Sequence, residues 1–561
     1  MGGARRSFTG VSLMSAGEGE PGPPNDPLHE ITRLVDGAEP IGHDQADDET
    51  PEAESAEGEP KASRAKPKGK AAGASSGDAG KAKTSKRRRT PQRDSLMSLT
   101  EDCDLWHDED GEAYATFAVR DHRESWGVRS KKFKRWLASR AYETTGLVPG
   151  AQALEDTLRV LEARATQEGR LRTPWSRVGA QGGFLYLDLC DPEWSVVKIG
   201  PNSWDLIKGH GLPFVRSAGM RALCEPEGGS EIGELRRFVN VATDEDFQLV
   251  VAWLVAAMRE TGPYPILVVN GEQGSGKSTF CKLIRTLVDP NVAPIRAVPK
   301  DPRDLMIAAS NAHMLVMDNL SRVEPWLSDV LCSIATGAGY ATRQLMSDRD
   351  ESIFMVARPI ILNGIPALTE RADLASRAVT IQLLSIPEDE RRAEDEFWAD
   401  WQVAAPRVLG ALCDGLSSAV RRIGSVKLER APRLADFTKW MTAAEPGLGW
   451  EEGTFTAAYT GNQEEVNQTA FESDPVAMQV CRLVEPLEHG WEGTAADLLE
   501  ALTEIAPDSV TRLKSWPVTA QGLGNRLVRC APLVRAKGFN IEKRHSGIRT
   551  IRISPVVKRG A

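Results

Sequence analysis

Chemistry first becomes nameable at Gly271-Glu272-Gln273-Gly274-Ser275-Gly276-Lys277-Ser278-Thr279, which fits G-x-x-x-x-G-K-[ST] in full. Glycines at these positions let backbone N–H groups turn inward around a phosphate, where a Cβ would obstruct them. Gly271, Gly274, Ser275, Gly276, Lys277, Ser278 and Thr279 are therefore the expected contacts of a nucleoside triphosphate. Lys277 reaches the β- and γ-phosphates in such a loop, and Ser278 ligates Mg²⁺. A second candidate is Asp318, which closes the apolar run His313-Met314-Leu315-Val316-Met317. A carboxylate at the C-terminal end of a buried strand, downstream of a phosphate loop, is placed to hold the Mg²⁺ water shell.

Such a loop needs a buried strand to deliver it and a helix to present its N-terminus. Ile266-Leu267-Val268-Val269 and Phe280-Cys281-Lys282-Leu283-Ile284 supply that pattern. The preceding segment, Glu231 to Glu260, reads as mostly helical, with an apolar stripe at Leu249, Val250, Trp253, Leu254 and Ala257 that suits packing. Beyond the loop, helix and strand alternate. Helices are expected over Asp301 to Ala309 and Trp326 to Ala335, and a hairpin over Tyr340 to Leu345 and Ile353 to Val356, with a charged tip at Ser347 to Glu351. The strand Pro359 to Asn363 ends in an amide, followed by Pro366, Arg371 and Arg377.

The chain has 561 residues and a formal net charge of −10, which argues against indiscriminate coating of nucleic acid. Eight cysteines are scattered with no C-x-x-C pair and read as reduced thiols of a cytoplasmic protein. The longest apolar run, Leu249 to Met258, is too short to span a bilayer, so no membrane partner is expected. Residues 1–95 are rich in Gly, Pro, Ser, Ala and charge, acidic over Asp44 to Glu59 and basic over Lys61 to Arg93. That composition predicts a disordered arm, either a tether for nucleic acid or a solvated linker.

A small α+β unit is expected over 105–225. It comprises strands Ala113 to Val119 and Ser125 to Val128, helices Lys132 to Thr145 and Ala151 to Ala165, and a hairpin of Phe184 to Leu189 with Trp194 to Ile199. Asp188 and Asp191 are the only candidates there for a primase-type metal pair. Their spacing does not put both on one face of a strand, so turn duty is the better reading. A helical stretch follows the nucleotide module over 391–472. Over 475–556 come three helices and then two basic strands, in which Arg526, Arg529, Lys543, Arg544, Arg549 and Arg552 suit duplex phosphates. A protein-contact module with a basic rim is the competing reading of this last unit.

Phosphate loop, Asp318, hairpin, Asn363, Pro366 and the pair Asp373-x-x-x-Arg377 together resemble the superfamily 3 helicase ATPase of the AAA+ class, as found in phage, plasmid and poxvirus primase-helicases. The resemblance covers roughly 230–390. It implies an α/β P-loop NTPase (AAA+-like) core, a helical lid and a C-terminal winged-helix-like domain, with ATP and Mg²⁺ as cofactors. Asn363 would polarise the attacking water, and Arg377, with Arg371 as the alternative, would reach a neighbouring subunit's nucleotide. Arg343 and its hairpin would grip single-stranded DNA in the pore of a homo-oligomeric, hexameric ring, with a separate primase or polymerase as a further partner. One departure stands out: where the family carries a second acid beside the strand-terminal carboxylate, this chain has Asn319, which orients water but cannot take its proton. The implied function is an ATP-dependent DNA translocase or helicase of a mobile element. The alternatives are a nucleotide-switched loading ATPase and, more remotely, a small-molecule kinase.

Overall fold

The computed structural model describes residues 92–556 apart from 147, 344–350, 355–356, 365–370, 429–431 and 547. Most of the charged arm, the hairpin tip and Pro366 thus lie outside the described residues. The first described element is helix α1 (Gln92–Ser98), which buries Leu96.

Strands β1 (Asp104–His107), β2 (Ala113–Val119) and β3 (His122–Gly127) pair antiparallel in sequence. Helices α2 (Lys131–Thr145) and α3 (Ala151–Glu168) follow, and β4 (Arg170–Leu171) returns parallel to β1. Ser130 starts α2 by accepting the Phe133 N–H, and Gly146 at φ 69° ends it, a conformation that costs glycine nothing. A second sheet runs as a meander through β5 (Val178–Gln181), β6 (Phe184–Asp188), β7 (Val196–Ile199) and β8 (Trp204–Ile207). Asp188 is fully buried against Arg216 at 2.6 Å, and Asp191 accepts the Ser195 N–H at 2.7 Å. Both carboxylates are used in holding turns.

Helix α4 (Asp244–Ala257) is capped by Thr243, whose hydroxyl accepts the Asp246 N–H. Every residue from Leu249 to Ala257 is buried, so the expected stripe is a helix enclosed all round. The central sheet follows: β9 (Ile266–Gly271), β10 (Leu315–Leu320), β13 (Ile360–Gly364) and β14 (Ala378–Leu383), in the order β10-β13-β9-β14 and all parallel. Their nearly continuous apolar sequences are what a sheet covered on both faces requires. Isolated bridges extend it at both edges, Arg296 beside Met317 and Val241 beside Leu383. Helices α5 (Lys277–Val288), α6 (Pro302–Ser310) and α7 (Pro325–Thr336) cover the faces. Leu283 and Ile284 pack on one side with Val269 and Ile381, and Leu305 and Leu331 pack on the other with Val268 and Leu362. Between α7 and β13, strands β11 (Tyr340–Arg343) and β12 (Glu351–Phe354) form a separate antiparallel hairpin in which the Arg343 backbone faces Glu351.

The boundary expected near 225–230 is not a break in the core, because one cluster of buried side chains runs from Val178 through α4 and β9 to Tyr459. At its centre lies α8 (Glu394–Arg422), the one described helix long and apolar enough to cross a membrane, with 72% of its apolar window buried inside the protein. Gly410 is needed there, since a Cβ would stand 1.8 Å from the Glu227 carbonyl oxygen. Helices α9 (Ala435–Ala444) and α10 (Thr454–Glu472) complete this layer. Asn462 on α10 donates to the Thr380 carbonyl and accepts its N–H, closing the outer edge of β14.

A third core gathers α11 (Pro475–Val484), α12 (Ala495–Ile505) and α13 (Ala520–Ala536) against β15 (Trp491–Gly493), β16 (Phe539–Ser546) and β17 (Ile548–Pro555), in sheet order β15-β17-β16. The third strand, β15, leaves no mark in the sequence, since three residues are too few to show a period.

Candidate active site at the end of the parallel sheet

The loop between β9 and α5 takes its shape from its glycines. Gly274 and Gly276 sit at φ 85° and 76°, in the left-handed region that side chains disfavour. Lys277 folds back on the loop, donating to the carbonyls of Gly271 and Glu272 at 2.8 Å each. Its ammonium is thereby held at the loop's own mouth.

Two further strands deliver the remaining groups to the same end of the sheet. Asp318, from the edge strand β10, accepts the Ser278 hydroxyl on Oδ2 at 2.9 Å. Asn363, from the intervening β13, donates Nδ2 to Asp318 Oδ1. Asn363 is 2% exposed, and its own Oδ1 is buried without a partner among the described residues, as is Ser275 Oγ. A buried acceptor left unpaired costs ~1–3 kcal/mol, which a site recovers when a ligand or water donates to it. Beneath the loop, burial pushes the Cys281 thiol up, so it lies there as a neutral apolar group.

Arg377 is elsewhere. Its carbonyl accepts the Ile266 N–H, at the beginning of β9, and Nη1 donates to the Asp373 carbonyl at 2.8 Å. The six paired residues of β14 and β9 separate that point from the loop by ~16 Å at the usual ~3.3 Å per residue. Arg377 therefore sits at the opposite end of the sheet from its own phosphate loop, with Nε buried and unpaired. Arg371 is engaged by Asp373 and Asp329, at 2.8 Å each. Asn319 adopts φ 59° and is exposed, while nearby Glu324 pairs with Arg322.

In the C-terminal unit, Arg526 bonds the largely buried Asp474 at 3.0 Å, and Asp474 itself caps α11. Arg526 is thus a fold-holding group, not the open cation expected of it. Arg529, Lys543 and Arg549 are exposed, while Arg544 and Arg552 lie 3.9 Å from Glu492. Sequence reasoning missed Asn240, whose Nδ2 donates to the Ser275 and Leu384 carbonyls. It lies upstream of the loop, within the stretch read as mostly helical, and no motif there marks a single amide as a contact of the loop.

The fold and site define a mixed α/β protein whose parallel sheet carries a glycine loop, an acid and an amide at neighbouring strand ends. Residues 232–458 match the family described as the actinomycete integrative conjugative element replication protein, and residues 476–560 match the AICE RepA C-terminal domain. Together the two matches cover more than half of the chain, which over them resembles replication proteins of a mobile element. No curated protein matches it in sequence. Among solved structures, the A form of the apo NrS-1 C terminal region is 11% identical, with 82% of this chain and 99% of that one covered at a TM-score of 0.37. A JCV helicase bound to a substituted N-phenylacetamide is 13% identical, covering 41% of this chain and 67% of that one at a TM-score of 0.20. Likenesses this low say nothing about the chemistry of the site.

Proposed function

We propose that this chain is an ATP-dependent DNA translocase or helicase of a mobile element's replication apparatus, working as a homo-oligomeric ring. The observation that carries this reading is the convergence of Ser278, Asp318 and Asn363 beside a glycine loop that already positions Lys277. The sheet order, with the loop strand between β13 and β14, supports reading the parallel sheet as an AAA+-like P-loop core. The matches to replication proteins supply the setting.

The donor set suits Mg²⁺: a hydroxyl and a carboxylate oxygen already face one another, the hard oxygen ligands that such an ion takes. Once bound, Mg²⁺ would neutralise phosphate charge. Lys277 would swing from its two carbonyls to the β- and γ-phosphates, and the loop N–H groups would enclose the β-phosphate. Asn363, fixed through Nδ2 by Asp318, would use its free Oδ1 to orient the attacking water. Arg377 is too far from its own loop to serve it, so its place in the mechanism is at a neighbouring subunit's γ-phosphate, where a cation matters as charge builds in the transition state. The β11–β12 hairpin, with Arg343, would follow one DNA strand. Three helices with a three-stranded sheet read as a winged helix, with Arg529, Lys543, Arg544 and Arg549 facing duplex phosphates.

A second reading, a nucleotide-switched loading ATPase that unwinds nothing, is favoured by Asn319, since an exposed amide stands where a second acid would. A strand-displacement assay on forked and tailed substrates separates the two. Unwinding that needs ATP supports the helicase, and hydrolysis without displacement on every substrate supports the loader.

A further inference from the structure

A second cation stands over the phosphate loop from within the same subunit. Arg391 belongs to the connection between β14 and α8, and a Cβ placed on Gly274 would meet its Nη2 at 3.3 Å. The connection is held there: Asn240 ties its first residue, Leu384, to the Ser275 carbonyl through bonds of 2.7 and 2.9 Å. Ile386 leans on the loop as well, since a Cβ on Gly276 would meet its Cδ1 at 3.4 Å. Arg391 Nε then donates to the Ile386 carbonyl at 3.3 Å, which aims the rest of the guanidinium at the crown of the loop.

Among the described residues, little neutralises this charge. Its nearest carboxylate, Glu388, lies 3.9 Å away on a side chain that is 92% exposed, and Arg391 itself is 54% exposed. The adjacent Arg392 is different, being bound to Asp400 at 2.5 Å. A guanidinium with unspent donors, beside backbone already shaped for an anion, fits the oxygens of a phosphate chain.

We propose that Arg391 is a cis contact to the polyphosphate of the nucleotide, completing a cation pair with Lys277. The proposal rests on reading the loop as a nucleoside triphosphate site. Because Asn240 ties its connection to the loop, Arg391 strengthens ground-state binding more than turnover.

The test is equilibrium binding of a non-hydrolysable fluorescent ATP analogue with Mg²⁺, and its displacement by inorganic tripolyphosphate. Wild type, Arg391→Ala, Arg391→Lys, Arg392→Ala and Lys277→Ala are compared. The expected result is about tenfold weaker binding of both ligands in Arg391→Ala, a smaller loss in Arg391→Lys, and none in Arg392→Ala. Tripolyphosphate binding as tight in Arg391→Ala as in wild type overturns the proposal, whatever happens to the nucleotide. If wild type binds neither ligand, or Lys277→Ala binds as wild type does, the nucleotide-site reading fails and takes this one with it. That pattern is distinct from a silent Arg391 beside a damaging Lys277→Ala.

Discussion

Ser278 donates its hydroxyl to Asp318 Oδ2 at 2.9 Å, although the two belong to different strand–helix units of the sheet. On the proposed reading the contact marks where a divalent cation would enter, because either oxygen would be open to it once the hydroxyl turned away. Asp318→Ala should therefore lower Mg²⁺-dependent ATP hydrolysis at least 100-fold, by removing the charge that holds the ion. Its melting temperature should stay within a few degrees, since Asp318 is only partly buried. A titration of hydrolysis against Mg²⁺, paired with a thermal melt, checks both parts.

Asn363 is the residue at which the proposed function expects binding and chemistry to part. Its Oδ1 is the buried, unpaired acceptor, so Asn363→Ala should reduce hydrolysis about 100-fold while nucleotide affinity changes less than threefold. Single-turnover hydrolysis and analogue binding read the two effects apart. Equal losses in both would assign Asn363 to holding the loop.

Asn319 offers a gain. Left-handed backbone at φ 59° is a conformation that Asp tolerates nearly as well as Asn. Asn319→Asp should fold normally and, by supplying a base near the water, raise hydrolysis several-fold. Steady-state rates across pH 6 to 9 decide it, with unchanged rates pointing to another base.

How far the site was legible in the sequence differs from strand to strand. The loop, Asp318 and Asn363 could be read because each ends an apolar run, and the parallel sheet brings strand ends together. Arg526 misled because charge alone does not reveal Asp474, a helix cap fifty-two positions earlier in the chain, as its partner. Near 225 the change of pattern reads as a boundary, while buried side chains from both sides of it pack in one cluster, a contact no local pattern records. Arg177 on the approach to β5 reaches Asp289 at the end of α5, a pairing with no local pattern. The register of such long-range contacts is set by tertiary packing, which neither periodicity nor motif spacing records.

That buried link has a measurable cost. Arg177 and Asp289 are both fully buried, and Arg285 joins them at 3.3 Å. Burial would raise the Asp289 carboxyl, but the Arg177 and Arg285 cations hold it below its ordinary value. Arg177→Ala should destabilise the chain by about 3–5 kcal/mol, leaving a buried charge short of a partner. Urea unfolding measures it.

His313, beside the same cluster, predicts an acid-side slope. Burial, with the Arg358 cation, pushes its pKa down to about 4 from 6.5. The unfolded chain therefore binds this proton more readily, so stability is undiminished above pH 6.5 and falls as pH drops from 6.5 toward 4. The loss totals about 3 kcal/mol at about 1.4 kcal/mol per unit. Unfolding free energies of wild type and His313→Gln over pH 4 to 8 should converge toward low pH.

The most direct measurement of the central claim is Mg²⁺-dependent ATP hydrolysis with and without single-stranded DNA, in wild type, Lys277→Ala and mixtures of the two. The account predicts hydrolysis that DNA stimulates several-fold, loss to background in Lys277→Ala, and mixtures less active than dilution alone would make them. Hydrolysis indifferent to both Lys277→Ala and DNA would contradict it.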